Sequence, residues 1–115
     1  MAERGSCHCG TIAYTVDAPL DEAVECNCSH CSRKGYVLAF VPRGVLTLDP
    51  VEGEIGTYRF NKHNIAHHFC LTCGCAPYAE GIGPDGSETA AINLRCIEGI
   101  DLAGVKITQV DGASY

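Results

Sequence analysis

FCLTCGC, residues 69–75, sets two thiols a short turn apart and follows the second with glycine. Cys70 and Cys73 can then point into one tetrahedral site, while Gly74 permits the backbone conformation that turns amides toward charged sulfur. A knuckle of this kind supplies half a zinc site. The best candidate for the other half is GSCHCG, residues 5–10, where Cys7 and Cys9 are likewise followed by Gly10. A zinc held by Cys7, Cys9, Cys70 and Cys73 would tie the N-terminal segment to the chain middle across roughly 60 residues. It would add folding free energy to a limited core, and is expected to be structural.

A third cluster, CNCSHC at residues 26–31, places Cys26, Cys28 and Cys31 on one turn. Three protein ligands leave a fourth position for water or substrate, which is what a Lewis acid site requires. Against this stands a closed second site, with Cys75 or His30 in the fourth position; the spacing admits both. With 9 cysteines in 115 residues the total is odd, and disulfides between such near neighbours would be strained. The N-terminus, MAERGSCHCG, has no apolar stretch after its charged residues. It does not read as a secretory signal, so a cytoplasmic chain with metal-bound rather than cross-linked thiols is expected.

The length fits one domain, residues 1–115, with one modest core. The formal charge is −6, and deprotonated metal-bound thiols carry it to about −9. That argues against nucleic acid as a partner, and no apolar run approaches membrane-spanning length. Nothing in the pattern fixes an oligomeric state. Arg33 and Lys34 are the only adjacent basic pair. A solvated pair is the ordinary reading of such neighbours, but they follow Cys31 directly and would make an anion-attracting patch beside it.

The pattern between the clusters is mainly β. TIAYTV (11–16) alternates and is rich in β-branched and aromatic residues, and LDEAVEC is expected to run extended into the CNCSHC turn. Ser29 can cap a short turn that Gly35 ends. YVLAFV (36–41), VLTLD after Gly44, TAAINLRCI (89–97) and VKITQV (105–110) read as strands, TYRF (57–60) and IAHHF (65–69) as a strand pair, and GIGPDGS (81–87) as a loop.

Other candidates have plain structural readings. Tyr14, Tyr36, Tyr58 and Tyr78 lie in or beside strands, where packing is the default. His67 and His68 are adjacent on a strand and face opposite sides, so at most one is expected to enter the core. Asn27 can donate to sulfur or shape the turn. Cys96, expected in a strand, reads as a small buried hydrophobe. Cys75 extends the knuckle and is open to ligation, reversible disulfide formation or inert packing.

Taken together, GSCHCG, CNCSHCSRKG, HHFCLTCG and NLRCIEGIDL resemble, in the same order, the glutathione-dependent formaldehyde-activating enzyme family, which includes centromere protein V. The resemblance runs from Cys7 to the Asp-Gly pair at 111 and 112. It implies a mainly β, Mss4-like fold of small packed antiparallel sheets with zinc-binding loops. It also implies two zinc ions per chain: a structural one on Cys7, Cys9, Cys70 and Cys73, and a catalytic one on Cys26, Cys28 and Cys31. The activity implied is that of a carbon–sulfur lyase, condensing glutathione with formaldehyde or acting on a related small thiol adduct. The Arg33 and Lys34 patch, following Cys31 directly, would attract the thiol's carboxylate. The alternative is a non-catalytic, zinc-stabilised binding module. The acidic chain lacks the basic tail that a chromatin role would use.

Overall fold

The computed structural model describes residues 3–27, 29–49, 55–59, 65–82 and 86–110. Ten strands, one short helix and three 3₁₀ turns make up these segments. β1 (Glu3–Ser6), β2 (Ala13–Val16) and β5 (Leu46–Leu48) form a three-stranded antiparallel sheet in the order β1-β2-β5. The larger sheet has seven strands. They are β3 (Glu22–Cys26), β4 (Leu38–Pro42), β6 (Ile55–Tyr58), β7 (Ile65–Cys70), β8 (Tyr78–Ile82), β9 (Glu88–Asn93) and β10 (Lys106–Val110), in the order β10-β3-β4-β9-β8-β7-β6. Its pairings are antiparallel except at one edge, where β10 runs parallel to β3.

Alternation along the strands divides the large sheet into two faces. Ala39, Val41, Tyr78, Ala90 and Ile92 meet Tyr14, Val16 and Leu46 of the small sheet, and this is the main core. Tyr14 is fully buried, its hydroxyl donating to the Pro77 carbonyl at 2.8 Å and its ring standing edge-on to Tyr78. Gly5 is what lets β1 lie against that ring, because a Cβ there would collide with it. The opposite face carries a second apolar cluster of Cys31, Tyr36, Leu38, Ala76, Ala79 and Ala91, with Val24, Cys26 and Phe69 packed against it.

The expected strands are found, with three differences. The run 89–97 is not one strand: β9 stops at Asn93, whose side chain accepts the Arg95 amide and caps a 3₁₀ turn, Leu94–Cys96. Cys96 therefore sits in a turn. Gly81 and Ile82 belong to β8 rather than to the expected loop, of which residues 83–85 lie outside the described residues. β1, with the sequence ERGS, has no alternating apolar signal and owes its pairing to β2. No helix among the described residues is long and apolar enough to cross a membrane.

Candidate metal centres

The loop after β1 and the turn after β7 bring four sulfurs together. Those of Cys7, Cys9, Cys70 and Cys73 all lie within 4.8 Å of one another, with Cys7 and Cys9 3.7 Å apart and Cys9 and Cys70 3.5 Å apart. Backbone amides converge on them: Ile12 donates to Cys7 Sγ at 3.3 Å, and Thr72 and Cys73 both donate to Cys70 Sγ at 3.4 Å. The turn closes through Gly74, whose φ of 80° belongs to the left-handed region and whose amide donates to the Cys70 carbonyl. A donor set of four convergent sulfurs, with amide dipoles aimed at them, fits a tetrahedral soft cation.

The thiols of this set are electrostatically unlike. Burial pushes Cys7 up to about 11, whereas the Cys75 and Cys9 backbone amides hold Cys73 down at about 5. The exposed Cys9 is lowered chiefly by Thr11, whose hydroxyl oxygen lies 3.1 Å from its sulfur. Cys73 thus offers a thiolate at neutral pH, Cys9 is shifted toward one, and a bound cation would deprotonate Cys7.

The other cysteine run lies on the opposite face of the large sheet. Cys26 ends β3, and Cys31 is the buried residue of α1 (Ser29–Lys34). Gly35 closes the helix by donating to the Cys31 carbonyl at 2.9 Å. Cys28 lies outside the described residues. Arg33 and Lys34 occupy the last helical turn and are exposed. Arg33 donates to the Ser29 carbonyl, and the Lys34 ammonium sits 5.6 Å from the Phe69 ring centre.

Four rings crowd beside this run. The His30 ring centre is 4.4 Å from that of His67, 5.3 Å from Tyr58 and 5.7 Å from Tyr36, while Tyr36 stacks on His67 at 5.9 Å. His67 is buried, and burial together with His30, His68 and Lys34 lowers it to about 4. His30 is lowered too, by burial and then Lys34. Tyr36 is pushed up to about 12 by burial, then by Cys31 and Cys96. At neutral pH this face presents neutral imidazoles and a protonated phenol next to two cysteines.

The family model for the glutathione-dependent formaldehyde-activating enzyme matches residues 2–104. The chain belongs to that family. A crystal structure of a Rhodobacter sphaeroides protein is similar over 91% of this chain and 99% of its own, with 27% sequence identity and a TM-score of 0.76. The Mss4-like arrangement of small packed sheets goes with membership of the formaldehyde-activating family.

The ring cluster is the feature that single-residue readings passed over. His30 read as a candidate fourth ligand, and His67 with His68 as an adjacent pair of which at most one enters the core. The strand pair 57–60 and 65–69 held the missing signal, since the register that pairs Tyr58 with His67 puts both on one face. His68, on the other face, contacts Glu80, so the adjacent histidines divide as expected. Arg59 lines a groove with Arg43 and Glu80. Cys75 packs against the main core. Cys96 is half-buried, and burial, with the thiols of Cys75, Cys7 and Cys73, raises it to about 11.

Proposed function

We propose that this chain is a cytoplasmic carbon–sulfur lyase that catalyses the reversible addition of glutathione to formaldehyde. The observation that carries the reading is the separation of the cysteines: Cys26 and Cys31 lie on one face of the large sheet, while the four-cysteine set lies at the end of the main core. One set is left for chemistry when the other holds the fold.

The sulfur–carbon bond forms as the carbonyl π pair moves to oxygen. The thiol gives up its proton and the oxygen takes one, giving S-(hydroxymethyl)glutathione. A zinc held by Cys26, Cys28 and Cys31 would supply Lewis acidity, either lowering the pKa of the thiol or polarising the aldehyde oxygen. The thiolate-rich donor set favours the sulfur role. His67 and His30 hold neutral imidazole nitrogens on this face, able to accept a hydrogen bond, and the protonated Tyr36 hydroxyl is able to donate one. Arg33 and Lys34 attract a carboxylate of the peptide thiol. The apolar wall of Leu38, Ala79 and Phe69 keeps water from the reacting atoms.

Exchange NMR between glutathione and formaldehyde, read against an uncatalysed control, is the test, because the adduct also forms spontaneously. Zinc-loaded protein at catalytic concentration should accelerate exchange and carry two zinc ions per chain. Cys28→Ser should abolish the acceleration, and Cys75→Ser should retain it. Neither acceleration nor glutathione binding by the loaded protein would defeat the assignment, and binding without acceleration would favour a carrier.

A further inference from the structure

On the main-core face, beyond the edge of the small sheet, a groove of about 280 Å³ opens over the β6–β9 end of the large sheet. It lies across the sheet from Cys26 and Cys31. Its walls carry Arg43, Arg59, His68, Glu80, Ile82 and Glu88. Two of the eight basic residues of an acidic chain meet here.

Three of the groups stand in contact. Arg43 Nε donates to Glu80 Oε2 at 2.6 Å and its Nη1 to the Leu46 carbonyl at 2.8 Å, while His68 Nε2 lies 2.9 Å from Glu80 Oε1. The other nitrogen of His68 meets the Thr57 hydroxyl at 3.0 Å. The Glu80 carboxylate is thereby engaged at both oxygens. Arg59 and Glu88 are different: both are exposed, and neither forms a hydrogen bond or ion pair with a described residue. Arg4, Arg33, Arg43 and Arg95 all donate within the chain, so Arg59 alone among the described arginines keeps its fork for something else.

The two stand on opposite rims. Arg59 follows β6 and Glu88 begins β9, with β7 and β8 between them, so their strands are about 14 Å apart at ordinary sheet spacing. Long side chains reaching inward leave one positive and one negative group facing a common floor. A phosphate would meet the repulsion of Glu88 and Glu80, and a simple cation that of Arg59. A ligand with a carboxylate and an ammonium on neighbouring atoms satisfies both rims, the carboxylate taking the guanidinium fork and the ammonium donating to Glu88. Ala66 and the exposed Ile82 add apolar wall for an aliphatic side chain.

We infer that this groove binds the zwitterionic head of an α-amino acid between Arg59 and Glu88. The head can belong to a free amino acid or to the γ-glutamyl end of a peptide such as glutathione. The site is independent of the proposed reaction, because the sheet separates the two.

The test uses the zinc-loaded full chain, titrated with L-leucine, its carboxylate half 4-methylpentanoate and its amine half 3-methylbutylamine, following the amide resonances of Ile82 and Thr89. Leucine should shift them saturably, with each half-ligand about tenfold weaker. Arg59→Gln should remove the advantage of leucine over the amine, and Glu88→Gln its advantage over 4-methylpentanoate. Both positions are exposed, so melting temperatures close to the parent are expected and confirm that the variants fold. No saturable shift with either leucine or glutathione overturns the inference, as does leucine binding unchanged in both variants. Binding of 4-methylpentanoate as tight as that of leucine, and indifferent to Glu88→Gln, would make the groove an anion site and overturn the zwitterion. If glutathione alone shifts Ile82 and Thr89, and loses that shift in Arg59→Gln but not in Cys26→Ser, the head recognised is γ-glutamyl. If leucine competes equally, it is a free amino acid.

Discussion

The two cysteine regions are built in opposite ways. Cys9 and Cys70 are 61 positions apart in sequence and 3.5 Å apart at sulfur. Cys7 and Cys70 are 2% and 1% exposed in the main core, with backbone amides turned onto both sulfurs. Cys26 and Cys31 come from a single run, one at a strand end and one on a helix of six residues, among rings and small side chains on the other face. A donor set gathered from distant segments restrains the whole chain and resists rearrangement. A set drawn from one turn restrains little beyond that turn, and its coordination can change without unfolding the sheets.

The sharpest way to break this contrast is to remove one sulfur from each region. Cys70→Ser deletes the acceptor of two backbone amides and one of four convergent donors. Structural zinc contributes an apparent stabilisation of about 10–16 kcal/mol, as large as the whole stability of a domain this size. The variant should lose its far-ultraviolet circular dichroism and its cooperative melt. Cys26→Ser should keep both, while losing about 100-fold or more of any exchange activity and one zinc by elemental analysis. Equal unfolding of the two variants would make the Cys26–Cys31 run a second structural site.

Much of this contrast was legible beforehand, because a turn with thiols two positions apart and a following glycine has few uses. The pairing of Cys7 and Cys9 with Cys70 and Cys73 followed from the matching glycine in both motifs, and the fold brings those sulfurs together. The strands were legible where β-branched residues alternate, as in Ala13–Val16 and Lys106–Val110. They were illegible where a partner supplies the order. β1 is polar and pairs because β2 is already in place, and β9 is cut short by a cap from Asn93 that no periodicity reveals. The ring cluster and the Arg59–Glu88 groove depend on register and strand order, which local pattern does not contain.

A smaller effect tests how dry the second region is. His67 is lowered to about 4 by burial and by neighbouring His30, His68 and Lys34, against an ordinary value of about 6.5. Between those values the unfolded chain binds a proton that the fold refuses, so stability rises with pH there. The contribution is complete above pH of about 6.5 and is lost as the pH falls toward 4, on the order of 3 kcal/mol in all. Acid also protonates cysteine thiolates, but it does so in wild type and in His67→Phe alike. The difference between their stability curves isolates the histidine. His67→Phe should lose less stability than wild type across this window, and parallel curves would mean that position 67 is wetter than its surroundings indicate.

The smallest expected effect asks whether the two regions are mechanically joined. Tyr14 donates to the Pro77 carbonyl at 2.8 Å from a fully buried position, bridging the small sheet to the segment just after the four-cysteine turn. Tyr14→Phe keeps the ring and its edge-on contact with Tyr78 but leaves the Pro77 carbonyl to the Asn93 amide alone, at 3.1 Å, at a cost of about 1 kcal/mol. In a domain of this length that lowers the melting temperature by roughly 4–8 °C per kcal/mol. Pro77 precedes β8, and the next residue but one, Ala79, lies in the apolar cluster with Cys31. A rigid sheet would keep a small shift at Pro77 on the main-core side, leaving exchange activity within about twofold of the parent below the melting range. A larger loss of activity at unchanged zinc content would show that β8 transmits position from one cysteine region to the other. The structural set would then tune the reacting face as well as hold the fold.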